Sequence, residues 1–173
     1  MALLQISEPG QSTAPHQHRL AVGIDLGTTN SLVATVRSGA PEVLPDADGH
    51  VIVPSVVHYA VGDDKSQNTA VGLAAQEHTL TDPLNTISSV KRMLGKSLDE
   101  VENQAGLTLK LSSTSTPVAP RVETVAGDVT PVEVSAEILK ALRLRAEESL
   151  GGCLLYTSPS PRDATLSRMP SSA

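Results

Sequence analysis

The clearest alternation of hydrophobic and polar positions lies near the start of the chain. Residues 20–36 place two apolar, β-prone runs on either side of a polar stretch. Two such runs around a glycine-containing turn predict a β-hairpin. The turn combines a carboxylate, a glycine and three hydroxyl or amide side chains: Asp25, Gly27, Thr28, Thr29 and Asn30.

This composition is typical of a turn that holds phosphate. Gly27 can adopt backbone angles closed to other residues and lets a ligand approach the main chain. The N–H groups of Thr28, Thr29 and Asn30 can then form an anion-binding nest, to which the threonine hydroxyls add donors. Asp25 is a suitable carboxylate for a Mg²⁺ ion that keeps most of its waters and bridges to phosphate oxygens.

Short β-type runs follow the hairpin. Residues 41–44 predict a strand, residues 46–49 a turn, and residues 51–59 a strand in which Pro54 marks an edge or a bend. The carboxylates of the turn are spaced as in a calcium loop. However, the glycine falls too early and no glutamate follows at the required distance, so a turn is the better interpretation.

Three helical segments are predicted next. Residues 71–78 predict a short helix that Pro83 prevents from continuing. Asn85 is the predicted N-cap of a helix over residues 86–94, which ends at Gly95. Residues 97–104 predict a capped acidic helix.

The last patterned region predicts a small antiparallel sheet followed by a long helix. The strands are expected at residues 107–111, 118–125 and 129–134. Ser135 is the predicted N-cap of the helix over residues 136–150. Its apolar positions form one face, at Ile138, Leu139, Leu142, Ala146 and Leu150, and its charged positions are expected to face water, at Arg143, Arg145, Glu147 and Glu148.

Composition narrows the classes of function. The chain has 173 residues, a net charge of −6 and a pI of about 5.3, which argues against a nucleic-acid partner. Aromatic residues make up only 1%, so the core must be aliphatic. The single cysteine, Cys153, fits a reducing compartment. No leader or membrane-spanning run is evident, and a cytoplasmic protein with no membrane partner is expected.

Two segments resemble a known family. Residues 23–31, reading Gly-Ile-Asp-Leu-Gly-Thr-Thr-Asn-Ser, resemble the first phosphate motif of the DnaK-type heat-shock chaperones. Residues 85–92, reading Asn-Thr-Ile-Ser-Ser-Val-Lys-Arg, look like the segment that carries the catalytic lysine of that family. The resemblance implies that Lys91 reaches the γ-phosphate and the attacking water, and that Arg92 adds positive potential.

The resemblance also implies a fold and its cofactors. The expected fold class is α/β, the first lobe only of the actin-like ATPase fold, with a mixed sheet, flanking helices and a small inserted α+β subdomain. The implied cofactors are ATP or ADP with Mg²⁺. Within this fold the hairpin residues Asp25, Gly27, Thr28, Thr29 and Asn30 would bind nucleotide, with Asp25 contacting the metal through water.

The resemblance covers residues 19–152 and implies the N-terminal part of an ATPase domain. Residues 1–18 are predicted to be a flexible lead, and residues 153–173 a non-native or disordered tail, because the sequence changes abruptly to Ser, Pro and Arg without periodicity. A second phosphate loop and the adenosine contacts belong to the part of the family that is missing here. The chain by itself is therefore expected to lack full activity.

Within the family, the resemblance is closest to the branch that assists iron–sulphur cluster assembly. It implies two partners for the parent protein, an HscB-like J-domain co-chaperone and an IscU-like iron–sulphur scaffold protein. Three alternatives remain open: a general protein-folding chaperone of the same family, a fragment of an actin-fold small-molecule kinase, and an inert product of a broken gene. Kinases of that fold do not match the Lys91 segment, and calorimetry showing no ATP binding would favour the inert product.

Overall fold

The structure is a computed structural model that describes residues 21–62, 67–103 and 109–151. The predicted lead at residues 1–18 and the predicted tail at residues 153–173 lie outside these ranges. So do part of the predicted strand at residues 107–111 and the end of the predicted helix at residues 97–104.

Nine strands within the described ranges form three antiparallel groups. In the first sheet β2 is central, with β1 and β3 beside it and β4 pairing at its start: β1 Val22–Asp25, β2 Asn30–Arg37, β3 Ala40–Val43 and β4 Val53–Pro54. The second sheet has the order β6-β5-β7: β5 Val56–Val61, β6 Gln67–Val71 and β7 Thr86–Ser88. The third group is a hairpin of β8 Val122–Thr124 and β9 Gly127–Val129.

Three α-helices and one 3₁₀ turn complete the described elements. The helices are α1 Leu73–Gln76, α2 Leu98–Glu102 and α3 Pro131–Leu150, and the 3₁₀ turn is Val90–Arg92. None of the helices in the described ranges is long and apolar enough to cross a membrane. The predictions of the hairpin and of the strand at residues 41–44 are confirmed. The single strand predicted at residues 51–59 is instead two strands, β4 and β5, separated by a bend at Ser55, directly after Pro54.

Helix α3 organises the core. It contacts β1, β2, β5, β6 and the 3₁₀ turn, and so joins the first two sheets. Its buried side chains include Val134, Ile138, Leu142 and Ala146. They pack in one cluster with aliphatic residues of the strands and loops, among them Val33, Leu44, Val57, Ile87, Val90 and Val122. The core is mostly aliphatic, as predicted, but it also contains Tyr59 and Met93. Leu139, which was assigned to the apolar face, is 38% exposed.

The prediction of where α3 begins is wrong. The helix starts at Pro131, and Thr130 is its N-cap: the Thr130 hydroxyl accepts from the N–H of Glu133, whose carboxylate accepts from the Thr130 N–H at 2.7 Å. This reciprocal capping box ends the preceding strand at Val129. Ser135 lies inside the helix, where its hydroxyl donates to the carbonyl of Pro131.

The charged face of α3 is only partly as predicted. Arg145 does not face water, because its side chain is 15% exposed and its guanidinium donates to the Asp46 carboxylate at 2.9 Å and to the carbonyl of His50. Asp46 also accepts from the N–H groups of Asp48 and His50. Ligand atoms of Asp46, Asp48 and His50 lie within 4.8 Å of one another, as in a metal site. The Asp46 oxygens, however, already accept the hydrogen bonds from Asp48, His50 and Arg145. The interpretation of residues 46–49 as a turn is confirmed.

The predicted helix over residues 86–94 is also wrong. Thr86, Ile87 and Ser88 form strand β7 against β5, and only the 3₁₀ turn is helical. β-branched side chains suit a strand, and the pairing with β5 buries Ile87 completely. Ser89 then adopts a left-handed conformation, with φ of 55°, which separates the strand from the 3₁₀ turn.

Candidate functional site

The predicted phosphate turn joins β1 to β2. Asp25 is the last residue of β1 and lies opposite Leu32, while Asn30 opens β2 opposite Pro54 of β4. Asp25, Thr29 and Asn30 are exposed, and Thr28 is half-buried. In the described part of the chain, the main-chain N–H groups of Thr28 and Thr29 donate no hydrogen bond. The turn therefore presents polar groups to solvent at one end of the first sheet.

Gly27 is required for a different reason from the one its sequence suggests. It is not among the glycines with positive φ, so backbone freedom is not what this position uses. Instead, a Cβ at Gly27 would lie 2.0 Å from the carbonyl oxygen of Asn30. Only a residue without a side chain allows the two ends of the turn to approach this closely.

Two serines hold the turn from beneath. The N–H of Gly27 donates to the Ser31 hydroxyl at 3.2 Å, and the Ser55 hydroxyl donates to the carbonyl of Gly27 at 3.0 Å. The two hydroxyl oxygens are 2.8 Å apart, and the N–H of Ser55 donates to the carbonyl of Thr29 at 2.8 Å. Sequence reasoning missed both as site residues. Only Ser31 stood in the recognised motif, and Ser55 is 24 residues further along the chain.

The same strand junction links the phosphate turn to the Lys91 segment. The Ser55 hydroxyl donates to Gly27 of the turn, and the next residue, Val56, pairs with Ser88 of β7. Lys91 follows three residues later in the 3₁₀ turn. Both predicted site regions are therefore attached to one short stretch of chain, even though they are about 60 residues apart in sequence.

Lys91 and Arg92 are exposed on the 3₁₀ turn. Among the described residues neither cation takes part in a hydrogen bond or an ion pair. Their neighbours anchor the turn instead, since Val90 and Met93 are buried in the core. The apolar spacing thus fixes the backbone and leaves the two positive charges toward solvent.

The loop before β7 is held by a polar network around Asn85. The prediction that Asn85 caps a helix is wrong, because strand β7 follows it. The Asn85 amide donates to the carboxylate of Asp82, and its side-chain oxygen accepts from the N–H of Val125 at 2.7 Å. The Thr86 hydroxyl donates to the carbonyl of Asp82, so the contact at 3.0 Å between Thr86 and Nδ1 of His58 uses a proton on Nδ1.

His58 is buried beneath this network. Its ring stacks on that of His78, with the centroids 4.1 Å apart. Nε2 lies 4.0 Å from a carboxylate oxygen of Asp82. Burial and the neighbouring His78 lower the pKa of His58 below its usual 6.5, and Asp82 opposes this only in part.

This histidine predicts a loss of stability in acid. A lowered folded-state pKa means that the unfolded chain binds the proton more readily, so the free energy of unfolding should fall as pH drops below about 6.5. Urea unfolding at several values between pH 7.5 and 5 measures this slope. His58→Asn keeps a donor for Thr86 and should reduce the slope. An equal slope in the two proteins would contradict the assignment.

Comparison with known proteins shows which family the chain belongs to. The family model described as Hsp70 protein matches residues 21–155, which is more than half of the chain. The chain belongs to the Hsp70 family. Membership implies the N-terminal lobe of an actin-like ATPase fold, and the mixture of strands and helices described above is consistent with it.

Individual Hsp70 relatives are similar over most of the chain. A chaperone protein HscA homolog of Methylobacillus flagellatus is 58% identical over 152 residues, which is 88% of this chain. The chaperone protein HscA of Salmonella typhimurium and the HscA homolog of Laribacter hongkongensis are each 56% identical over the same share. In each case the match covers 24% of the relative, so the chain spans about a quarter of these proteins' length.

Proposed function

We propose that residues 21–151 form the first phosphate-binding part of the nucleotide-binding domain of an HscA-like chaperone. The observation that carries this proposal is the attachment of two regions to adjacent residues: the turn at residues 25–30 to Ser55 and the Lys91 segment to Val56. A phosphate-binding turn and an exposed cation on neighbouring segments supply what phosphoryl transfer requires, because its catalysis rests on positioning and charge neutralisation.

Each predicted site residue has a proposed part in this chemistry. The N–H groups of Thr28, Thr29 and Asn30, with the threonine hydroxyls, bind phosphate oxygens of ATP or ADP. Lys91 neutralises charge on the transferred phosphoryl group, and Arg92 adds positive potential nearby. Gly27 allows the turn to close.

The residues present fit a hydrated magnesium ion. Asp25 offers an exposed carboxylate at the edge of the turn, and no ion pair engages it in the described ranges. An oxygen ligand of this kind suits Mg²⁺, which keeps several waters and bridges to phosphates. When bound, the ion would supply positive charge at the phosphate oxygens, and Asp25 would hold it through water.

The finer assignments follow from the similarity to HscA. We propose that the whole protein is a cytoplasmic ATPase that assists iron–sulphur cluster assembly, with a J-domain co-chaperone and an iron–sulphur scaffold protein as its partners. The identities of 56–58% to HscA proteins support this over a general folding chaperone. Every strand pairing among the described residues is antiparallel. The parallel pairings of the expected mixed sheet are therefore part of the proposal, as is the inserted α+β subdomain.

Nucleotide binding at the turn can be tested on the 173-residue chain itself. Amide NMR spectra of the ¹⁵N-labelled protein should shift at Thr28, Thr29 and Asn30 on addition of Mg·ATP, with the millimolar affinity expected of half a site, and without ATP turnover. Adenosine at the same concentrations is the control, because it lacks phosphates. Shifts absent at the turn, or equal shifts with adenosine, would contradict the proposal.

A further inference from the structure

Two buried hydroxyls lie on the side of the turn that faces the protein core. Ser31 and Ser55 are 2% and 1% exposed, so their hydroxyls have no access to water and must find partners inside the protein. Each hydroxyl carries a single hydrogen and can accept two bonds. Three contacts join these serines and Gly27, and together they determine which group donates each hydrogen.

The assignment closes into a ring. Ser55 donates its only hydrogen to the carbonyl of Gly27, so in the pair of hydroxyls Ser31 must be the donor. Ser31 in turn accepts from the N–H of Gly27. The hydrogen bonds therefore run from the Gly27 N–H to Ser31, from Ser31 to Ser55, and from Ser55 back to the Gly27 carbonyl.

The ring also determines where the phosphate-binding donors point. Ser55 donates two hydrogen bonds to the turn: its hydroxyl to the carbonyl of Gly27 and its main-chain N–H to the carbonyl of Thr29. All peptide bonds here are trans, and in a trans peptide the C=O and the following N–H point in opposite directions. The N–H groups of Thr28 and Asn30 are thus directed away from Ser55, toward the open side of the turn.

We infer that Ser55 is a positioning residue for phosphate binding, acting through the ring with Ser31 and Gly27. It does not touch the ligand. It fixes two peptide planes of the turn so that their N–H groups are oriented before the phosphate arrives, which lowers the cost of ordering them on binding. This inference rests on the proposed function of the turn.

The experiment is a double-mutant cycle on the 173-residue chain, with Mg·ATP affinity read from the amide shifts of Thr28 and Asn30. Ser55→Ala should weaken binding about tenfold, since it leaves the Gly27 carbonyl without a donor and the hydrogen of the Ser31 hydroxyl without an acceptor. Ser31→Ala breaks the same ring and should have a similar effect, and the double variant should lose no more than either single variant.

Two controls separate positioning from general destabilisation. Ile138→Val removes a methyl group from a fully buried position of α3, outside the hydrogen-bond ring, so it should lower stability and leave affinity unchanged. Ser113→Ala removes an exposed hydroxyl and should change neither. If Ser55→Ala fails to fold, Ser31→Ala carries the test through the same ring.

The outcomes distinguish the two claims. A wild-type chain that shows no shifts at the turn overturns the proposed function, and this inference with it. A wild-type chain that binds Mg·ATP while Ser55→Ala and Ser31→Ala bind equally well overturns the inference alone. Losses that add in the double variant would show two independent contributions and would also overturn the ring.

Discussion

Replacing Gly27 with alanine should open the phosphate turn and abolish nucleotide binding. The added Cβ would lie 2.0 Å from the Asn30 carbonyl oxygen and 3.1 Å from its carbon, and both atoms belong to the backbone. No side-chain rotation relieves such a contact, so the main chain must move and the bonds to Ser31 and Ser55 must break. We expect a loss of about 3 kcal/mol in the free energy of unfolding.

Gly23→Ala is the matched control for this change. Gly23 lies in β1 of the same hairpin, and a Cβ there would meet no atom within 4 Å. Both substitutions reduce the freedom of the unfolded chain in the same way, so their difference reports on the folded turn. Urea unfolding and the Mg·ATP titration measure the two effects. A Gly27→Ala protein as stable as Gly23→Ala, with the same affinity, would contradict the close approach.

Removing the Lys91 ammonium should slow ATP hydrolysis by about 10²- to 10³-fold. Turnover requires a complete site, so the measurement uses a hybrid in which residues 21–151 replace the matching part of the HscA of Salmonella typhimurium. Because the proposed contact strengthens as charge develops on the transferred phosphoryl group, Lys91→Ala should lower kcat and leave KM nearly unchanged. Because the Lys91 side chain is exposed, its removal should not impair folding, and a lower kcat would report on the reaction itself.

Lys140→Ala is the corresponding control in the hybrid. Lys140 is an exposed lysine on α3 that pairs with Glu137 at 3.6 Å, remote in sequence from the 3₁₀ turn. Its loss should leave kcat within about twofold of the parent hybrid, since an exposed ion pair contributes little. Hydrolysis that is unchanged by Lys91→Ala, or equally reduced by both substitutions, would remove Lys91 from the proposed chemistry.

The hairpin could be predicted from sequence because its determinants are contiguous. Two β-prone runs and one polar turn lie within 17 residues, and short-range pairing needs no information from elsewhere in the chain. The 86–94 segment shows the opposite case. Ile87 and Val90 have helical spacing and are both buried, yet a strand and a 3₁₀ turn bury them, because β7 pairs with the edge of β5 that β6 leaves open.

Two further differences between the sequence-based predictions and the structure have physical causes: the start of helix α3 and the role of Ser55. Ser135 is a good N-cap residue, but Thr130 is followed by a proline at the first helical position and by Glu133, and this combination begins the helix five residues earlier. Ser55 could not be identified from sequence because its partners, Gly27 and Ser31, are more than 20 residues away. Identifying it requires the register of β4 on β2.

The direct succession of Ser55 and Val56 limits how this part of the chain can change length during evolution. A residue inserted between Ser55 and Val56 would have one of two effects: either Ser55 would leave its bonds to the turn, or β5 would slip by one residue on β7 and turn its buried side chains to the opposite face. Loops elsewhere in a domain commonly tolerate such insertions. We therefore expect length variation among natural homologues to be absent from residues 53–57 and to accumulate in connections such as the one between β6 and β7.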